Sequence, residues 1–311
     1  MLGEDDIGHR VVIRRVVGTR AGRPVQSDAL GQLVGVDETH FTVRTAAGDV
    51  RIERAAVTAA KRVGPRRARS ATERLELVAA AGWPAVETDH LGDWLLRASD
   101  GWTGRGNSAL AVGDPGRPVA DAVDAVTEWY GARGLRPAIA VPLPLGGRVQ
   151  PELDRRGWAT VTPTLVQTAA MDQLGGRFPS SPDVVLHREP TPEWFAGVGG
   201  RKGGLPPAAR QILTGVPVAR YAAGYADGVL IATARGVVTD GWLGISLVGV
   251  EPAHRRRGWA VRLTSALVAW AAEAGADRAY LQVEVTNTAA VRLYEGLGFR
   301  TAHEYVLRLA P

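Results

Sequence analysis

The clearest chemistry in this sequence lies at Arg255–Ala260, where three arginines precede Gly-Trp-Ala. A β-rich run, Ile245–Val250, comes before this segment, and a helical apolar pattern follows it. The first backbone N–H groups of a helix lack internal partners and carry positive potential. Gly258 leaves room for phosphate oxygens, and arginines add charge-assisted donors. The segment predicts a phosphate-binding turn; the alternative is a solvated basic turn at a helix start.

A second segment with chemical potential follows the predicted strand Ala279–Glu284. Thr286 or Asn287 can cap the helix that comes next, and two glycines end that helix just before Phe299. The helix carries Tyr294, whose phenol is a proton donor with an ordinary pKa near 10. Neither segment has the glycine–lysine–hydroxyl signature of a Walker A loop or the three spaced glycines of a dinucleotide fingerprint.

Taken together, these segments carry a resemblance to a known superfamily. The sequence has Arg-x-x-Gly-x-Ala at 255–260, Asn-x-x-Ala at 287–290 and Leu-Tyr-Glu-x-x-Gly-Phe at 293–299. This combination resembles the GCN5-related N-acetyltransferase (GNAT) superfamily, above all the bacterial enzymes that acetylate N-terminal amines of ribosomal proteins. The similarity covers 184–311 in outline and 245–300 in detail. It implies an α/β (α+β) fold with a central mixed sheet, and transfer of acetyl from acetyl-CoA to a primary amine without a metal.

The resemblance also implies roles for individual residues. Tyr294 would protonate the departing CoA thiolate, and Asn287 would contact the pantetheine or position the amine. Backbone groups of 248–250 would pair with the pantetheine amides, and 256–261 would hold the pyrophosphate. The full set of predicted cofactor-binding residues is Val248, Gly249, Val250, Arg255, Arg256, Arg257, Gly258, Trp259, Ala260, Val261 and Asn287.

The general base is the point at which the sequence departs from the family. Where the ribosomal-protein acetylases carry a glutamate, this chain has Gln282, and an amide cannot accept the proton. Glu284 lies two residues further on the same face of the predicted strand and is the leading candidate. A plain surface carboxylate is the alternative for Glu284, and His254, Asp240 or a bound water remain alternative bases.

Internal repetition predicts two related α/β units in tandem. Asp-Gly-Trp-Thr-Gly at 100–104 recurs as Asp-Gly-Trp-Leu-Gly at 240–244. We call residues 71–172 the first repeat and residues 184–311 the second repeat. Leu153 stands where the second repeat has Tyr294, and the arginine-rich turn has no counterpart. The first repeat is therefore predicted to be a degenerate GNAT-like copy that binds no CoA.

The N-terminal 62 residues predict a separate small β barrel. Short β-branched segments alternate there with polar turns, as in SH3-like or Sm-like barrels. Such a module either docks and stabilises or binds nucleic acid. Residues 63–70 are basic and interrupted by Gly and Pro, which is typical of a linker; a patch that contacts anions is the alternative.

Composition narrows the remaining function classes. The chain has no cysteine, which excludes disulfides and a thiol nucleophile. It shows no apolar run of membrane-spanning length and no signal-peptide pattern, so a cytoplasmic protein is expected. The net charge is +5, and all the basic residues counted in it except Lys61 and Lys202 are arginines. These arginines are spread along the chain, which indicates a compositional bias. The predicted partner is an amine-bearing small molecule or protein. The rival interpretation is a non-catalytic regulatory protein that binds CoA or nucleic acid.

Overall fold

The computed structural model describes residues 2–20, 23–45, 48–63, 68–174, 181–202 and 204–311. The chain divides into two compact units, Met1–Ala68 and Arg69–Pro311. The boundary falls within the stretch that the sequence predicts as a linker, of which residues 64–67 lie outside the described residues.

The N-terminal unit is built on one antiparallel sheet. Its strands are β1 (Arg10–Arg20), β2 (Arg23–Val36), β3 (His40–Thr45), β4 (Gly48–Glu53) and β5 (Val57–Arg62), in the order β4-β3-β2-β1-β5. Alternate residues such as Val11 and Ile13, or Phe41 and Val43, are fully buried on one face. This two-residue period is what the β-branched pattern predicts.

The closed barrel predicted for this unit is not observed. In the part of the unit that the structure describes, β4 and β5 are the two edges and do not pair with each other, so the sheet is open. Bulges interrupt the ladders between Val16 and Gly18, between Arg14 and Arg15, and between Leu33 and Gly35. Bulges strengthen the local twist, so the sheet coils around its apolar face without a closing ladder.

In the second unit, the residues that the structure describes form one mixed sheet of twelve strands. They are β6 (Glu87–Leu91), β7 (Trp94–Ala98), β8 (Ala109–Leu110), β9 (Ala138–Leu143), β10 (Ala159–Thr160), β11 (Thr164–Ala170), β12 (Val184–His187), β13 (Ala219–Ala226), β14 (Val229–Thr239), β15 (Trp242–Val250), β16 (Arg278–Glu284) and β17 (Arg300–Leu309). The order is β12-β13-β14-β15-β16-β11-β17-β9-β8-β7-β6, with β10 beside β17. The pairs β15–β16 and β8–β9 are parallel, and the other pairs are antiparallel.

Eight helices accompany these strands in the described part of the second unit. They are α1 (Ala71–Ala81), α2 (Val119–Gly131), α3 (Val149–Arg155), α4 (Met171–Leu174), α5 (Pro192–Lys202), α6 (Pro207–Thr214), α7 (Trp259–Glu273) and α8 (Thr288–Leu297). The apolar stripe of α7, with Leu263, Leu267 and Ala271 fully buried, packs into the same core as Leu281 of β16. A 3.6-residue period in the sequence predicts such a stripe.

The last strands of the two repeats are exchanged. β11 belongs to the first repeat but lies between β16 and β17 of the second repeat. Leu165 of β11 pairs with Val283 on one side and with Glu304 on the other. β17 in turn continues to β9 of the first repeat, where Val306 pairs with Val141. Residues 71–172 and 184–311 therefore share one hydrogen-bonded sheet.

Candidate active site

Two adjacent parallel strands separate in the middle of the sheet. β15 and β16 pair from Trp242 and Arg278 as far as Ile245 and Leu281, where the pairing ends. At the same level β15 is bulged, because Leu247 has a left-handed backbone (φ +55°) and the register with β14 shifts. The bulge turns β15 away from β16. Residues 246–250 therefore present an edge that β16 does not fill, which suits an extended ligand with amide groups.

A cleft of about 920 Å³ occupies this gap. It is bounded by the end of β15, the start of α7, the end of β16 and one side of α8. All the predicted site residues except Arg257, which is exposed, line the cleft: Val248, Gly249, Val250, Arg255, Arg256, Gly258, Trp259, Ala260, Val261, Glu284, Asn287 and Tyr294.

The arginine-rich turn leads directly into α7. Arg256 and Gly258 both adopt left-handed backbone angles, φ +59° and φ +82°, and Gly258 is the N-cap residue. No side chain caps this helix, so its first N–H groups remain available to a ligand. A Cβ added to Gly258 would meet nothing within 4 Å, so the space beside the helix start is open. Arg255 braces the turn by donating from Nε to the carbonyl of Val250 at 3.2 Å. This arrangement can bind an anion.

Tyr294 is held inside the opposite wall of the cleft. Asn287 caps α8, its side-chain oxygen accepting from the N–H of Ala290 at 3.2 Å, as the sequence allows. The Tyr294 ring is 6% exposed and packs edge-on against Phe299, with ring centroids 5.8 Å apart. Burial raises the pKa of the Tyr294 phenol above its ordinary value. The hydroxyl therefore stays protonated at neutral pH and can donate a proton.

The base candidates occupy different positions. Glu284 is exposed at the end of β16 and lines the cleft, as does His254. Asp240 precedes the opposite end of β15 and is not part of the cleft lining. The nine residues of β15 correspond to roughly 30 Å of extended strand, so Asp240 lies too far away to serve. Gln282 lines the cleft and accepts a hydrogen bond from Arg105.

Sequence reasoning missed two arginines that line the cleft. Arg201 of α5 donates to the Glu251 carboxylate at 3.0 Å and to Thr233. A Cβ at Gly249 would overlap the Arg201 guanidinium, so a larger residue there would displace the Arg201 side chain. Arg105 comes from the first repeat, 177 residues from its partner Gln282. No local pattern could have linked that residue to the site.

The fold and the cleft define a GNAT acetyltransferase, in which a ligand edge opens between two splayed parallel strands beside a helix start. The family described as "Probable histone acetyltransferase Rv0428c C-terminal" matches residues 69–307, and the chain belongs to that family. The Mycobacterium tuberculosis protein described as probable histone acetyltransferase Rv0428c is 32% identical, over 97% of this chain and 95% of its own length.

Two solved structures share the fold. A GCN5-related N-acetyltransferase from Kribbella flavida aligns with a TM-score of 0.61 and 20% identity, over 78% of this chain and 97% of its own. A tandem GNAT protein from the clavulanic acid biosynthesis pathway gives 0.53 and 16%, over 80% and 90%.

In the described ranges, none of the helices is long and apolar enough to cross a bilayer. Among the same residues, no three His, Asp or Glu side chains are grouped as metal ligands.

Proposed function

We propose that this protein transfers the acetyl group of acetyl-CoA to a primary amine, by direct attack in a ternary complex. The observation that carries the proposal is the separation of β15 from β16 beyond Ile245. It places a free backbone edge, an open helix start and a buried phenol around one cleft. Such a combination matches the three needs of the reaction: a site for the pantetheine amides, a site for the pyrophosphate and an acid for the thiolate.

Each part of the cleft takes one role in this proposal. Backbone groups of residues 248–250 bind the pantetheine amides, and one of their N–H groups stabilises the oxyanion. The N–H groups at 258–261 bind the pyrophosphate, assisted by Arg256. Asn287 uses its side-chain oxygen to cap α8, which leaves its amide N–H groups for the pantetheine. Arg257 is exposed and contributes only long-range charge.

The chemical step needs one proton removed and one supplied. The neutral amine attacks the thioester carbonyl, so that a C–N bond forms, and its nitrogen gives one proton to the base. The resulting tetrahedral oxyanion collapses, the C–S bond breaks, and the Tyr294 hydroxyl protonates the sulfur. Glu284 is the leading base because it is the exposed carboxylate at the mouth of the cleft; His254 or a bound water are the alternatives. Alignment of the two substrates supplies much of the rate.

A CoA-binding protein without turnover is the second candidate function. One observation favours it: Gln282 cannot act as a base and is already bonded to Arg105. Nucleic-acid binding by the N-terminal unit has less support. Exposed arginines of its sheet form ion pairs there, such as Arg14 with Asp28 and Arg44 with Asp49, which neutralises part of the surface.

The discriminating experiment is acetyl-CoA turnover with pooled amines. The pools are free amino acids, uncharged and cationic small amines, and lysine-rich peptides, the last included because the relative is described as a histone acetyltransferase. We expect one pool to drive release of free CoA thiol at a rate on the order of 1 s⁻¹, with acetylated product identified by mass spectrometry. Tight CoA binding without thiol release in every pool would instead support the regulatory protein.

A further inference from the structure

Arg105 is a cation that lines the cleft and has no role in the proposed acetyl transfer. It lies in the loop between β7 and β8 of the first repeat and reaches the cleft of the second repeat. Its guanidinium lies over the ring of Trp83, 4.5 Å from the centroid, and donates to the side-chain oxygen of Gln282. The Trp83 ring on one face and the Gln282 amide at one end fix the orientation of the Arg105 guanidinium.

The charges around Arg105 are mostly positive. The side chains of Arg97 and Arg235 are buried nearby, and the charge of Arg105 adds to burial in lowering the pKa of each. Glu76, a buried carboxylate whose charge also acts on Arg97, is hydrogen-bonded to His303 at 2.6 Å. Within the described residues, no carboxylate forms an ion pair with Arg105, although Glu284 lines the same cleft. Arg105 is half-buried and Arg97 and Arg235 are buried, so three guanidiniums and one carboxylate leave an excess of positive charge that attracts an anion.

The surroundings of Arg105 explain why residue 282 is a glutamine rather than a glutamate. A glutamate at this position would form an ion pair with Arg105 and neutralise it. Glutamine offers the same oxygen as an acceptor but leaves the positive charge uncompensated. The neutral amide of Gln282 therefore leaves the charge of the Arg105 guanidinium available to a ligand.

We propose that Arg105 binds an anionic group of the acceptor, so that the acceptor is a primary amine that also carries a carboxylate. This inference rests on the proposed acetyl transfer and narrows its substrate class to amino-acid-like molecules, in preference to polyamines or lysine-rich peptides. The first repeat thus supplies the residue that determines specificity, while the second repeat supplies the reacting groups.

The test uses matched pairs of amines on the full-length protein: each free amino acid against its own carboxamide. We expect the wild-type protein to prefer the acid, and Arg105→Ala to raise the KM for the acid by about 10- to 100-fold, the range for losing a charged hydrogen bond. The KM for the carboxamide and for acetyl-CoA should stay unchanged. Gln282→Glu should also weaken the preference for the acid.

Arg133→Ala is the matched control, because Arg133 also stacks on a tryptophan, Trp129, at 3.6 Å, but is paired with Glu87 outside the cleft. This variant should keep the wild-type preference. Calorimetry of the same pairs with CoA-saturated protein gives a readout that needs no turnover. If the wild type binds the acid more tightly than the carboxamide and Arg105→Ala does not, the inference is supported. Absence of acetylation in the same samples would contradict only the proposed reaction. Equal use and equal binding of acid and carboxamide by the wild type would overturn the inference, whatever the turnover.

Discussion

Turnover is expected to fall by about 10²–10⁴-fold when Tyr294 is replaced by phenylalanine, the usual effect of removing a general acid. The phenylalanine ring keeps the edge-on contact with Phe299 and fills the same buried volume, so the core should remain intact. Affinity for CoA should stay unchanged, because the proposed binding site for CoA consists of backbone groups of β15 and α7. Single-turnover kinetics and CoA titration measure the two effects separately.

The pH profile adds a second check on Tyr294. Its phenol has a raised pKa, so the protonated form persists as pH rises and its loss should begin only above the ordinary tyrosine range. The alkaline limb that reports this acid should therefore lie above pH 10 or so. Tyr225→Phe is the matched control, since Tyr225 belongs to β13 and is not part of the cleft lining. Near-normal turnover in Tyr294→Phe would identify the tyrosine as a packing residue.

A fragment of residues 184–311 is expected to be unfolded, although it contains the whole of the second repeat. Without β11 the strands β16 and β17 lose the partner between them, which pairs with β16 from Thr164 to Ala170. The fragment would also lack Val166 of β11, which is fully buried in the core of the intact protein. Domain stabilities of about 5–15 kcal/mol cannot absorb the loss of a central strand.

A longer fragment serves as the control for that experiment. Residues 69–311 form one compact unit that contains all the residues matched by the family, 69–307, so this fragment should fold and retain acetyl transfer without the N-terminal sheet. Circular dichroism and urea unfolding compare the two fragments. Cooperative unfolding of 184–311, together with activity, would show that the exchanged strand is dispensable. A folded but inactive 69–311 would assign the N-terminal unit to the reaction.

Local features of the site were predictable from the sequence because they depend only on residues that are close to one another in the chain. Gly258 at the start of α7 and the Asn287 cap of α8 follow from residue type and position. The apolar stripe of α7 follows from periodicity. These features place the predicted residues at the end of β15, at the start of α7 and along α8, and the structure brings all but Arg257 to one cleft.

Features that depend on distant pairing were not predictable. Nothing in the composition of β11 says that it will lie between β16 and β17, because any apolar strand satisfies the same period. The role of Arg105 depends on that exchange and on a partner 177 residues away. The predicted SH3-like or Sm-like barrel is not confirmed for a related reason: strand content is local, but closure of a sheet depends on which edges meet.

Calorimetric titration with CoA tests the central proposal most directly. The wild-type protein should bind one CoA per chain, since the first repeat lacks both the glycine-bearing helix start and the tyrosine. Gly258→Leu should abolish measurable binding, because its side chain would fill the open space beside the first N–H groups of α7. Gly258→Ala shares the backbone strain of a left-handed residue, about 1–2 kcal/mol, but leaves that space largely free, so it should bind CoA with a smaller loss. Unchanged affinity in folded Gly258→Leu, or a second tight site that survives this substitution, would contradict the assignment.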